Sequence, residues 1–122
     1  MTPFRSGKWV GFFNYSGYDR KFLMDLVLEF RQGIITGEGY DGIGPFVIAG
    51  TYSTETCECA WKKTYVGQHT VEYKGVTEGN GIEGTWTLTT GKGGFRIWLL
   101  SEGLPPLVQA ETESGIKKEP VL

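Results

Sequence analysis

The chain has a single histidine, two cysteines and five prolines in 122 residues, and no apolar run long enough to cross a bilayer. Each shortage excludes something. A membrane-spanning helix needs roughly 18 or more consecutive apolar residues, and the start, MTPFRSGKWVG, has no basic segment followed by an apolar core. The expected setting is cytoplasmic, although a secreted chain trimmed of its leader would read the same way, and no membrane partner is expected. The net charge is −2 and the lysines and arginines are scattered, so the electrostatic track that binds nucleic acid is missing. Cys57 and Cys59 stand one residue apart in TETCECA. Their Cα atoms in an extended strand lie near or beyond the disulfide limit of about 6.8 Å, which reads as two free thiols beside a turn. One histidine adds too little to them for a tetrahedral site, so neither a metal nor another cofactor is expected.

What is abundant is glycine, 19 residues against a usual share of about 7%, together with an aromatic fraction of 14%. Many tight turns between apolar segments favour an all-β meander. Alternation and turn residues divide the chain into eight strand-length segments, at 7–17, 21–32, 34–42, 45–54, 58–67, 69–78, 81–90 and 93–102. The second, KFLMDLVLEFRQ, could pass for a helix. Its phase sets Phe22, Met24, Leu26, Leu28 and Phe30 on one side and Leu23, Asp25, Val27, Glu29 and Arg31 on the other, and that period of two predicts a strand. Eight antiparallel strands joined by short turns can close into an up-and-down barrel, which also removes both exposed edges. The expected fold is therefore all-β, an eight-stranded antiparallel meander barrel in one domain over residues 1–103. Beyond it, LPPLVQAETESGIKKEPVL has paired prolines and no periodicity, so 104–122 is expected to be an extended or mobile tail without chemistry.

Four pieces of the chain, in order, resemble the avidin and streptavidin family, a calycin-type barrel that binds biotin and assembles as a tetramer. They are GKWVG (7–11), FVIAGTYST (46–54), AWKKTY (60–65) followed by His69, and IEGTWTLTTG (82–91). The resemblance implies the eight-stranded barrel, a tendency to form homo-oligomers, and a ligand pocket whose apolar walls and hydroxyl fall on Trp61, Trp86, Leu88 and Thr90. Tyr73 stands one residue out of register with the family's other pocket tryptophan. The polar groups that hold the ureido ring are not matched: Gly11 replaces an asparagine, and the last strand, FRIWLLSE, offers no aspartate. A buried site without its hydrogen-bond partners rejects its ligand. The resemblance thus implies the scaffold, with a ligand other than biotin.

Alternation also predicts which side chains share the lumen. With Trp61 inside, so are Lys63 and Tyr65; with Trp86 inside, so are Ile82, Gly84, Leu88 and Thr90; Phe46, Ile48, Gly50 and Tyr52 form a third inward series, and Phe95, Ile97 and Leu99 a fourth. The sixth segment has two phases. Burying Glu72 with Lys74 would cost several kcal/mol per ion, so the expected inward set is His69, Val71, Tyr73 and Gly75. One mouth would then gather Lys63, Tyr65, His69, Tyr73 and Tyr52 with Asp41 from GEGYDG. That cluster suits a small-molecule pocket with orienting polar groups, and it equally suits a filled barrel in which Lys63, Asp41 and the tyrosines satisfy one another. The leading expectation is a non-enzymatic barrel binding a small molecule in its lumen. The alternatives are a packed interaction module burying Phe12 and Trp98 against other subunits, and a lyase- or isomerase-like enzyme with His69 as base beside Asp41 or Glu38.

Overall fold

The computed structural model describes residues 3–102. The tail expected at 104–122 lies outside the described residues. Eight strands follow one another without a described helix: β1 (Gly7–Tyr15), β2 (Phe22–Arg31), β3 (Ile34–Asp41), β4 (Pro45–Ser53), β5 (Glu58–Tyr65), β6 (Thr70–Glu78), β7 (Gly81–Leu88) and β8 (Gly91–Glu102). Each pairs antiparallel with the next, and β8 returns to β1, giving a closed barrel in simple meander order. The predicted fold class is the observed one. The helix-like second segment is indeed a strand, with Met24, Leu26 and Leu28 buried while Leu23 and Val27 stand exposed on the outer wall.

The inward phase of each strand forms a single core. Trp9, Phe13, Phe46, Trp61, Tyr65, Tyr73, Trp86 and Phe95 supply its rings, with Ile35, Ile48, Ile82 and Ile97 between them. So many rings fit within eight strands because facing positions carry no side chain. A Cβ on Gly75 would stand 3.0 Å from Phe95 Cζ, and one on Gly39 would stand 2.8 Å from Phe46 Cζ. The abundance of glycine in the sequence is therefore partly a packing requirement, beyond its use in turns.

The two ends of the barrel differ. At one end the segment preceding β1 folds over the opening, and buried Phe4 sets its ring 4.8 Å from Tyr52 and 5.5 Å from Phe30. The Trp9 indole donates to the Arg5 carbonyl at 2.9 Å, and Ser6 Oγ accepts the Phe30 amide at 2.9 Å, which fixes that segment in place. This end is plugged by rings. We expect Phe4→Ala to cost about 3 kcal/mol, the lower end for a truncated core phenylalanine because the site borders solvent and can collapse. Urea unfolding should show a lower midpoint with an unchanged slope.

The other end is framed by the β1–β2, β3–β4, β5–β6 and β7–β8 hairpins. Two expectations are corrected here. Thr90 does not point into the lumen: β7 ends at Leu88, which pairs with Gly91, so Thr90 occupies the exposed two-residue turn. His69 keeps the inward phase of its neighbours but precedes β6 and is exposed, because its carbonyl closes the hairpin on the Tyr65 amide at 2.9 Å, beyond the barrel wall. It stands on the rim.

Candidate functional site

The sixth strand presents Val71, Tyr73 and Gly75 inward and Thr70, Glu72 and Lys74 outward. That phase lays the Tyr73 ring on Trp61, stacked at 5.5 Å and 12°, with Phe95 edge-on to both. It also brings the Tyr73 hydroxyl to Lys63.

Lys63 is 1% exposed, and its partner Asp41 has a side chain 0% exposed. The ammonium donates to Asp41 Oδ2 at 2.7 Å and to the Tyr73 hydroxyl at 3.1 Å, and lies 3.6 Å from Met24 Sδ. Tyr65 donates its hydroxyl to the same Asp41 Oδ2 at 2.7 Å. The other carboxylate oxygen accepts the Ile43 amide at 2.9 Å within the β3–β4 turn, so the glycine-flanked turn of GEGYDG aims an acid into the barrel. Four rings surround the ammonium, with centroids at 4.4 Å (Phe46), 4.8 Å (Phe13), 5.0 Å (Tyr65) and 5.3 Å (Tyr73). Such faces attract a cation through their quadrupoles.

Burial decides the protonation chemistry of this cluster. It pulls the Lys63 ammonium down from 10.5 to about 8, against the opposing pull of the Asp41 charge and hydrogen bond. Burial pushes both tyrosine hydroxyls well above their ordinary range, with the Asp41 hydrogen bond and charge adding to the effect at Tyr65 and the Asp41 charge adding at Tyr73. The site at neutral pH is an ammonium, a carboxylate and two neutral phenols. Deeper in the core, the Trp61 indole N–H is buried without a hydrogen-bond partner among the described residues.

Above the cluster lies a crevice lined by Phe13, Tyr15, Ile43, Tyr65, His69, Val71, Tyr73, Trp86 and Leu88. Its volume is about 20 Å³, room for about one water. The Trp86 indole donates to the Asn14 carbonyl at 3.0 Å and meets Tyr15 edge-on at 5.1 Å, so one wall is rigid while the exposed Tyr15 caps it. His69 leans its ring on Tyr65 at 5.0 Å.

The structure therefore brings Tyr65, His69, Tyr73, Trp86 and Leu88 together around one crevice, with Lys63 and Asp41 directly beneath. Trp61 packs deeper and does not line the crevice. Tyr52 is not at this mouth at all: it pairs with Cys59 at the far end of β4 and belongs to the Phe4 plug. Glu38, one of two acids considered as a partner for His69, stands exposed on the outer wall between Val27 and Val47, whereas Asp41 is engaged by Lys63 and Tyr65. Phe13 and Tyr15 were not expected at the site, although the alternation Trp9, Gly11, Phe13, Tyr15 already carries that signal. Ile43 sits in a turn and has none. Among the described residues no three histidine, cysteine or acidic side chains assemble as metal ligands. Both thiols are free, Cys57 in the β4–β5 turn and Cys59 buried in β5. No family model, curated protein or solved structure matches the chain.

Proposed function

We propose that the chain is a non-enzymatic, avidin-like β-barrel that binds a small molecule other than biotin at its aromatic mouth. The observation that carries this reading is the asymmetry of the ends. Rings without an ion pair pack the Phe4 end, beside a groove of about 630 Å³ over Tyr52, Cys59, Gly75 and Gly84, whereas the mouth end holds a buried ion pair and two tyrosines beneath its crevice. A buried ion pair is commonly no better for stability than apolar residues of the same volume, so its retention under an opening favours recognition over packing. The ligand seat is the crevice, with Trp86 and Leu88 as walls, Tyr73 below and Tyr15 and His69 as exposed rim groups that move aside on binding. A flat, uncharged ring system suits these faces. Titration with a panel of small heteroaromatic compounds should quench tryptophan emission and raise the melting temperature, and Trp86→Phe should remove most of the quench. Unchanged emission and melting across the panel would dismiss the proposal.

One observation favours a second reading. The crevice at the mouth holds only about 20 Å³, while Phe12 and Trp98 meet edge-on at 6.3 Å on the outward phase, with the 54% exposed Leu23 in register with Phe12. This is the arrangement of a packed barrel that associates through its outer wall. Sedimentation at high concentration separates the two, because a strictly monomeric chain leaves the outer patch without that role.

A further inference from the structure

The surroundings of Lys63 have the composition of a receptor for a primary ammonium ion. A carboxylate oxygen at 2.7 Å, a phenol oxygen at 3.1 Å and a thioether sulfur at 3.6 Å accept from its nitrogen, and four ring faces stand within 5.3 Å of it. Three of those features come from strands other than β5: Met24 from β2, Asp41 from the end of β3 and Tyr73 from β6. The receptor is thus assembled by the barrel as a whole, and the ammonium is delivered to it on a tether.

We propose that this cage is a primary-alkylammonium site occupied in cis by Lys63, and that removing the tether opens it to a soluble amine. The chemistry sets the selectivity. An N–H bearing cation satisfies both oxygens and the rings; a neutral alcohol of the same length offers no charge to Asp41; a tetramethylammonium ion offers charge to the rings but no N–H to the oxygens. Access runs from the mouth, since Phe13, Tyr65 and Tyr73 line both the cage and the crevice above it. The inference concerns the cage alone and holds whether or not a ligand binds at the rim.

The test is Lys63→Ala with n-propylammonium, which replaces the chain removed beyond Cβ. The variant should gain a saturable rise in melting temperature of roughly 5 °C or more at amine concentrations far above its dissociation constant. The unsubstituted protein should show none of it, and 1-propanol and tetramethylammonium should give less than half of it. Adding Asp41→Asn to Lys63→Ala should abolish the preference for amine over alcohol. If Lys63→Ala does not fold unaided, it is refolded from urea with each compound, and native tryptophan emission should return with the amine and not with propanol. Equal effects of amine and alcohol, or no effect of the amine in either format, would overturn the proposal.

Discussion

Asp41→Ala is expected to destabilise the barrel by about 4 kcal/mol, because it strands a buried ammonium instead of merely deleting a contact. The carboxylate oxygen that would be lost accepts from both Lys63 and Tyr65 at 2.7 Å. Neither donor has bulk solvent at hand to replace the lost acceptor, since Lys63 is 1% and Tyr65 2% exposed. The rings around Lys63 attract a cation but do not accept its hydrogen bonds in place of an oxygen. With Asp41 gone, burial acts on Lys63 unopposed, and the amine holds its proton less readily than before. The variant should therefore gain stability as pH rises from 6 towards 9, where the amine folds in neutral form. Asp41→Asn combined with Lys63→Met should fall within about 1.5 kcal/mol of the parent, since the charges leave together, the methionine fills a similar volume, and the asparagine oxygen can still accept from Tyr65. Urea unfolding of the parent, Asp41→Asn, Lys63→Met and the double variant completes a cycle whose coupling term is expected to exceed about 2 kcal/mol. A loss below 1 kcal/mol for Asp41→Ala at pH 7 would mean that the pair contributes nothing beyond its shape.

The face of each strand was legible in the sequence, and the height of each residue along the barrel axis was not. Alternation correctly sets Lys63, Tyr65, Tyr73, Trp86 and Tyr52 on the inward phase, and the cost of burying Glu72 with Lys74 correctly selects between the two phases of β6. Period two, however, says only in or out. Height depends on the stagger accumulated from one strand pair to the next. Tyr52 and Tyr65 lie on neighbouring strands and share a phase, but Tyr65 pairs with Phe46 and Tyr52 with Cys59. Six residues of strand, about 20 Å at roughly 3.3 Å each, separate their levels. The same gap explains His69. Its phase is that of Val71 and Tyr73, yet the hairpin closes between Tyr65 and His69, so the imidazole clears the wall. Whether the lumen is empty or filled was equally beyond pattern, because a cavity and a satisfied core draw on the same residue types. It took the convergence of β2, β3, β5 and β6 on one nitrogen to show that the polar groups satisfy one another.

The buried network also fixes how the fold should answer to alkali, with opposing contributions whose windows can be separated. Lys63 titrates at about 8 in the folded chain and at 10.5 when unfolded, so between those values the unfolded state binds more protons and stability rises with pH. Cys59 does the reverse. Burial lifts its thiol from 9.0 to about 12, so from pH 9 upward the unfolded chain releases a proton that the folded chain retains, and stability falls. The two slopes nearly cancel between pH 9 and 10. Above 10, the ordinary value for a phenol, Tyr65 and Tyr73 ionise only in the unfolded chain, and once Lys63 is neutral in both states nothing opposes them. Each group then removes about 1.4 kcal/mol per pH unit. Together with Cys59 the loss is about 4 kcal/mol per unit, which by pH 12 should unfold only a domain at the lower end of ordinary stability. Unfolding free energies measured by urea at half-unit steps from pH 7 to 11.5 should therefore rise slightly to pH 9, level off, and then drop steeply. Tyr73→Phe should lower stability at neutral pH, because the Lys63 ammonium loses an acceptor, yet make the alkaline slope shallower by about 1.4 kcal/mol per unit. Cys59→Ala should turn the level stretch between pH 9 and 10 into a continued rise and make the decline above 10 shallower by about 1.4 kcal/mol per unit. A parent protein whose stability stays level beyond pH 11, or a Tyr73→Phe slope as steep as the parent's, would show that the phenols reach solvent and ionise in the folded barrel.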